Sequence, residues 1–295
     1  MRLRINLLLC SVAVLTAMSC NNAKGPMPTE LYYRADSTAC AYLTVDAELP
    51  SGKDKVSAGV RGELAGVIDD ILSRITSYED ERFFGPFEGD GGDTRAMLDY
   101  YRDNAFGVIS RLAQEDADER ATFIIESDDF TDEEKETMLA NFPRWAYEFS
   151  LRKVEDNDRY VVFQSRDYIY MGGAHGGVTG KGCLTFSKED GRLVTDFVDP
   201  SRVGDIQPLI VKGLLEYWAE GGFETTWDDM KDVLFIEDGI VPLPSWPLCP
   251  TEEGMVFIYQ QYEIAAYAMG MPSFTVPYDE IAPYLTDEAR QLLGL

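Results

Sequence analysis

The residue of this chain best suited to chemistry is His175, the only histidine in 295 residues. It is flanked by Gly172, Gly173, Gly176 and Gly177. Histidine titrates near neutral pH and can act as a general base, while glycines allow sharp turns or a close approach to a bound molecule. A nucleophile–histidine site also needs a positioned nucleophile, and the neighbouring side chains provide only Thr179 and Thr185. We therefore favour a structural role for His175, with ligand or partner contact second and catalysis third.

Other site chemistries fit the sequence poorly. Metal sites usually draw on several histidine, cysteine or carboxylate ligands, and this chain has one histidine. The glycine pairs are not followed by a helix that opens with Lys-Ser/Thr, so they do not predict a phosphate loop. Adjacent acids such as Asp228–Asp229 and Glu252–Glu253 are expected by chance among 52 acidic residues. We predict no metal, no cofactor and no catalytic residue, and we favour a protein that is not an enzyme.

Two alternating segments must position the glycine-histidine segment. Residues 160–171 precede it and residues 183–187 follow it, and both alternate apolar and polar side chains as strands do. The turn at 188–191 leads into a third segment at 192–197, which predicts an antiparallel meander with short turns.

The rest of the chain alternates between helical and strand patterns. Helices are predicted at 56–77, from Thr94, at 206–219, as a turn at 278–284, and after the N-cap Thr286. Strands are predicted at 39–49, 144–151, 255–259 and 274–276. Because helices and antiparallel strands occur in separate runs, the sequence predicts an α+β fold of sheet meanders packed with helices.

The N-terminus predicts export. Arg2 and Arg4 precede an apolar stretch that is too short for a membrane span, and Ala17-Met18-Ser19 lead to Cys20. This resembles the lipobox of bacterial lipoproteins, in which the cysteine is acylated and becomes the first mature residue. The alternative is an ordinary secretory signal. We expect 1–19 to be the signal and 20–32 a tether, with the protein lipid-anchored in the cell envelope and facing the periplasm.

The charge excludes some partners and favours others. The chain has 26 basic and 52 acidic residues, and removal of Arg2 and Arg4 with the signal leaves a net charge of −28. Nucleic acids and anionic lipid surfaces repel so acidic a protein. We expect no nucleic-acid partner and membrane attachment through lipid alone. The charge permits a basic protein such as lysozyme as a partner, or cations, although solubility alone is the simplest explanation of it.

Three cysteines remain beyond the predicted lipid site: Cys40, Cys183 and Cys249. An exported protein can hold a disulfide, but no pair among them shows a metal or redox spacing. A disulfide and buried free thiols are both compatible with the sequence.

Several segments of the C-terminal half carry a family resemblance. They are 168–175, 184–194, 253–270 and 274–278, which include Gly-Gly-Ala-His and Tyr-Glu-Ile-Ala-Ala-Tyr-Ala-Met-Gly. They resemble the extracytoplasmic domain of RsiV-like proteins, and the upstream part resembles the smaller domain that usually precedes it. The resemblance implies an α+β module, with domains at 33–155 and 156–295. Its best-understood members are anti-sigma factors that bind lysozyme, and a related module precedes the catalytic domain of some peptidoglycan deacetylases.

Three functions remain open at this point. The first is a non-catalytic envelope lipoprotein that binds a protein, such as lysozyme, or a peptidoglycan-related ligand. The others are an envelope-polymer hydrolase and an accessory structural lipoprotein. Aromatic residues near the closing motif provide a candidate binding surface, although we expect them mainly in the core. They are Tyr259, Tyr262, Tyr267, Phe274 and Tyr278.

The predicted lipid anchor is directly testable. Replacing Cys20 with Ala removes the only acceptor for the acyl chains, so the Cys20→Ala protein should leave the membrane fraction for the soluble fraction. Fractionation followed by immunoblotting measures this. A Cys20→Ala protein that stays with the membranes would place the anchor elsewhere.

Overall fold

The computed structural model describes residues 25–75, 82–172 and 176–295, and a six-stranded sheet forms its centre. The strands follow the order β1-β2-β3-β4-β5-β6. They are β1 (Thr29–Ser37), β2 (Ala41–Pro50), β3 (Trp145–Asp156), β4 (Tyr160–Tyr170), β5 (Val178–Ser187) and β6 (Leu193–Val194). Neighbouring strands are antiparallel except β2 and β3, which run parallel. The parallel pair requires a long crossover.

Helices α1 (Lys55–Ser73), α2 (Thr94–Glu126) and α3 (Asp132–Ala140) lie within that crossover. Asp54 caps α1 by accepting a hydrogen bond from the Ser57 amide at 2.9 Å, which satisfies a donor that the helix itself leaves unpaired. Apolar residues of α1 and α2 share a core with the inward residues of β2 and β3. One face of the central sheet is thereby closed.

A second, smaller sheet belongs to a second core. It consists of β7 (Cys249–Pro250), β8 (Gly254–Ile258) and β9 (Ser273–Pro277), all antiparallel. The other C-terminal helices are α4 (Gln207–Glu220), α5 (Trp227–Met230), α6 (Tyr278–Ile281) and α7 (Asp287–Leu293). Within the described ranges, no helix is both long and apolar enough to cross a membrane.

Strand β4 contributes to both cores. Val161 and Phe163 lie in the core under α1 and α2, whereas Tyr160 and Val162 lie in the core of the smaller sheet. Successive side chains of a strand point to opposite faces, so the two cores share one strand. The domain boundary expected at 155/156 falls between the last two residues of β3, and β3 pairs with β4 along the same sheet.

The α+β prediction is confirmed, and the predicted helices at 206–219 and after Thr286 correspond to α4 and α7. Strand β1, however, begins at Thr29, so the tether assigned to 20–32 is wrong for its last residues. The strand lacks the alternation of apolar and polar residues that predicts strands. Leu31 and Tyr33 are exposed, and Tyr32 is its only buried residue. An edge strand needs few inward apolar residues.

Three charged side chains hold the start of the described chain at one end of the sheet. The carboxylate of Asp156 accepts hydrogen bonds from the Met27 amide at 2.7 Å and the Lys153 ammonium at 2.8 Å, and it also pairs with Lys188. The two lysines donate in turn to the carbonyls of Met27 and Gly25, at 2.7 and 2.9 Å. The side chains of Asp156 and Lys188 are only 11% and 9% exposed. We call Lys153, Asp156 and Lys188 the N-terminal clamp.

A disulfide resolves the cysteine question. Cys183 of β5 and Cys249 of β7 are bonded, with Cα atoms 5.3 Å apart, and both are buried. The bond therefore ties the central sheet to the smaller one. Cys40 is a free thiol, half-buried, with Sγ 3.4 Å from Oε1 of Gln114.

The clamp should contribute substantially to stability. Asp156→Asn leaves two largely buried ammonium groups without their counter-charge, so it should lower the free energy of unfolding by about 3 kcal/mol. Equilibrium urea unfolding measures the loss. The matched control is Asp228→Asn, whose partner Lys231 is paired at the surface. That control should leave the urea midpoint unchanged, and equal effects of the two changes would contradict the role of the clamp.

Candidate functional site

The glycine loop, residues 171–177, connects β4 to β5 at the end of the sheet opposite the N-terminal clamp. β4 runs from Tyr160, close to the clamp, to Tyr170, beside the loop. Ten residue steps of a strand separate the two ends by roughly 33 Å. Gly173 and His175 lie outside the described residues, so the interpretations made for these two stay predictions.

The described glycines of the loop are required for two different reasons. Gly172 has φ +71°, a left-handed backbone that favours glycine. A Cβ on Gly176 would lie 2.7 Å from the Tyr267 hydroxyl, and one on Gly177 would lie 2.2 Å from the ring of Tyr168. The first glycine serves the turn, and the other two allow tyrosines to approach the backbone.

The closing segment, residues 259–270, is attached to β5 by side-chain amides. The Lys181 amide donates to Oε1 of Gln260, and Nε2 of Gln260 donates to the Lys181 carbonyl, both at 2.9 Å. Gln261 accepts from the Thr179 amide at 2.8 Å. The Gln260 side chain thus binds the edge of β5 as a neighbouring strand would, and it satisfies backbone groups that need partners.

Glu263 fixes the turn that carries these glutamines. Its two carboxylate oxygens accept from the amides of Gln260 and Ser245, each at 2.6 Å. The buried Tyr259 hydroxyl donates to the carbonyl of Pro242 at 2.9 Å. Burial, with the nearby charge of Glu263, raises the pKa of Tyr259 well above its usual value. This tyrosine is therefore a neutral hydrogen-bond donor at physiological pH.

The expectation of a core position is wrong for Tyr262. It is 53% exposed and has φ +66°, a strained conformation for a tyrosine. Its ring lies 5.7 Å from that of Tyr267, whose hydroxyl donates to the Gly177 carbonyl at 2.9 Å. Tyr259 and Phe274 are buried as expected. The turn held by Glu263 is the reason that Tyr262 faces outward.

A carboxyl group lies close to the loop in a poorly solvated position. Asp167 of β4 pairs in register with Gly180, and burial raises the pKa of its carboxyl above the usual range. Glycine is needed opposite it, since a Cβ on Gly180 would lie 2.4 Å from Oδ1 of Asp167. The side chain of Asp167 is therefore part of the packing beneath the loop.

Next to the loop, the chain forms an open cleft of about 420 Å³. One wall is the C-terminal end of α4 with the residues after it, and the other is residues 268–270, which follow Tyr267 directly. The lining residues are Tyr217, Trp218, Glu220, Gly221, Phe223, Ala268, Met269 and Gly270. No sequence pattern marks the α4 residues of this cleft as functional, and Gly221 and Gly222 indicate only that the helix ends there.

Thr179 and Thr185, the candidate nucleophiles, lie in different surroundings. Thr185 is fully buried, and among the described residues its hydroxyl has no hydrogen-bond partner. The Thr179 amide is used to hold Gln261. Over the described ranges, no group of three or more histidine, cysteine or acidic residues is arranged to hold a metal ion.

The positive φ at Gly172 predicts that alanine is tolerated less well there than at a glycine within a helix. Gly172→Ala should reduce the free energy of unfolding by about 1–2 kcal/mol, because a Cβ disfavours positive φ. The control is Gly107→Ala in α2, where no atom lies within 4 Å of the added methyl group. It should stabilise by up to about 1 kcal/mol through helix propensity. Thermal unfolding reports both, and we expect His175→Ala to leave the melting temperature nearly unchanged. A larger loss at His175 than at Gly172 would reverse the order.

Comparison with protein-family models finds a match in one part of the chain. Residues 204–279 match the model of DUF3298, described as a protein of unknown function. That range contains α4, the cleft and the closing segment. No curated protein matches the chain.

Two solved structures share the fold across almost the whole chain. A DUF3298 family member from Bacteroides fragilis has a TM-score of 0.61 and 15% identity, covering 91% of this chain and 97% of its own. A DUF3298 family protein from Pseudomonas aeruginosa has a TM-score of 0.54 and 14% identity, covering 90% and 97%. The chain thus carries a DUF3298 match in its C-terminal part, and its overall fold is similar to that of two proteins of this family.

Proposed function

We propose that this protein is a non-catalytic lipoprotein of the cell envelope that binds a basic protein, with lysozyme as the first candidate. The observation that carries the proposal is the unbalanced charge, 52 acidic against 26 basic residues. A field of that sign attracts cationic proteins and repels acidic polymers. The resemblance to RsiV-like proteins, whose best-understood members bind lysozyme, supports the same partner.

The buried disulfide supports export. Disulfides form and persist in oxidising compartments and are rare in the cytosol of most organisms. Cys183 and Cys249 are bonded within the core, where the bond joins two sheets. This agrees with a signal at 1–19 and an acyl chain on Cys20, and we propose a location on the periplasmic side of a membrane.

The N-terminal clamp supports a defined orientation on that membrane. Gly25 is held by Lys188, so only five residue steps separate it from Cys20. A fully extended chain of that length spans at most about 18 Å. The clamp end therefore stays near the lipid, and a sheet standing upright on the membrane would hold the glycine loop roughly 33 Å further away. We place the ligand at the glycine loop and the closing segment.

Binding to lysozyme should be strong at low salt and weak at high salt. Complementary charges accelerate association, and salt screens that attraction. Between about 20 mM and about 300 mM salt, the association rate constant should fall at least about tenfold. Surface plasmon resonance with the full lipidated protein in detergent micelles measures this rate.

The matched control is succinylated lysozyme, in which the positive charges of the lysines have been removed. It should not bind at either salt concentration. Equal binding of native and succinylated lysozyme would show that charge does not drive the complex. No binding of native lysozyme at low salt would remove it as the ligand, and release of sugar from peptidoglycan by the protein alone would favour the hydrolase alternative.

A further inference from the structure

The cleft beside the closing segment has the dimensions of a ligand site. Its volume of about 420 Å³ lies within the range of small-molecule pockets, roughly 300–1,000 Å³. It is too small for a folded partner, but it would accommodate a single long side chain. The chemistry of its walls determines which side chain fits.

Three of the eight lining residues are aromatic: Tyr217, Phe223 and Trp218, and of these Trp218 is largely buried. Phe223 is 54% exposed, which leaves part of its ring available to a ligand. Aromatic ring faces carry negative quadrupole density and attract ammonium and guanidinium groups. The walls thus favour an organic cation over an anion.

The end of α4 adds negative potential at the same place. The helix ends at Glu220, and the backbone carbonyls of its last turn point toward that end. The Tyr217 and Trp218 carbonyls accept the amides of Gly221 and Phe223, at 3.2 and 2.8 Å. A helix C-terminus carries about half a negative charge, which favours a cation nearby.

The charges along this part of the chain have one sign. Between Lys212 and Lys231 there is no basic residue. The acidic residues in that stretch are Glu216, Glu220, Glu224, Asp228 and Asp229. Lys212 and Lys231 are themselves paired, with Glu280 and Asp228. Of these acids Glu220 lines the cleft, so a phosphate or carboxylate ligand would be repelled there.

A glycine keeps the opposite wall open. Gly270 has φ +78°, and a Cβ there would lie 2.5 Å from the Tyr217 hydroxyl. Any side chain would displace Tyr217 and narrow the space between the two walls. The glycine that ends the closing segment therefore has a specific role at the cleft, beyond the turn itself.

We propose that this cleft is a receptor for one cationic side chain, an arginine or lysine projecting from the basic protein ligand. The inference rests on the proposed function and names the contact at the centre of that interface. The guanidinium group of arginine fits best, because it stacks flat on aromatic rings while its N–H groups reach Glu220 and the helix carbonyls.

The test uses short peptides as probes on the full protein in detergent micelles. Capped tri-arginine should bind in a calorimetric titration, and capped tri-citrulline, which has the same shape without charge, should bind at least about tenfold more weakly. Equal binding of the two peptides would overturn the proposal. Binding of a soluble peptidoglycan glycan fragment without binding of tri-arginine would also overturn it and assign the cleft to a sugar.

Matched variants locate the site. Phe223→Leu removes the ring and should weaken tri-arginine binding about fivefold to tenfold. Phe123→Leu, at a 67% exposed ring on α2, should leave binding unchanged. Glu220→Gln should weaken binding in the same direction as Phe223→Leu. Both residues are exposed, so circular dichroism should show an unchanged fold. Loss of tri-arginine binding in the Phe123→Leu protein as well would contradict the assigned site.

The outcomes separate this inference from the proposed function. If lysozyme binds equally well to wild type and Phe223→Leu, and tri-arginine does not bind, the cleft proposal is wrong while the partner proposal stands. If tri-arginine binds through Phe223 and lysozyme does not bind, the cleft stands and lysozyme is removed as the partner.

Discussion

The alternation of side chains along β4 is the constraint on which the rest of the molecule depends. Val161 and Phe163 complete the core beneath the N-terminal helices, and Tyr160 and Val162 complete the core of the smaller sheet. A slip of one residue in the register would exchange the two sets and place each on the wrong face. Pairing with β3 and β5 along nearly its whole length prevents that slip. The N-terminal clamp lies near the start of this strand, on β3 and just after β5, and the glycine loop follows its end. One strand therefore spans the distance between the two.

The closing segment shows how a stretch with little regular structure can be held precisely. Gln260 bonds both backbone groups of Lys181, and Glu263 joins the turn to Ser245. The disulfide from Cys183 holds the neighbouring strand β7 against the same part of β5. These bonds place Tyr267 against the glycine loop, and the chain that follows it forms a wall of the cleft. Because the glycine loop and the closing segment are both attached to β5, the loop and the cleft keep a fixed relation to each other.

The sequence predicts those parts of the fold whose signal is local. Helices α1 and α4 follow from three- and four-residue apolar spacing, and Thr286 caps α7 as its position suggests. The parallel pairing of β2 with β3 joins strands that are far apart in the chain, and no local pattern encodes that choice. The same limit applies to the disulfide and to the two bonds of Gln260. At the candidate site, the glycines were identifiable from sequence, whereas the exposure of Tyr262 depends on a turn held by distant atoms.

Several basic residues of this acidic chain hold the fold together. Lys153 and Lys188 are largely buried in the N-terminal clamp. Three arginines bond backbone carbonyls: Arg61 bonds those of Pro50 and Gly52, Arg144 those of Thr38 and Ala41, and Arg159 that of Leu293. Each of these residues still contributes its full positive charge, so the balance of 52 acidic against 26 basic residues determines the sign of the field around the protein. The same side chains therefore serve the fold through fixed local contacts and the field through their charge alone.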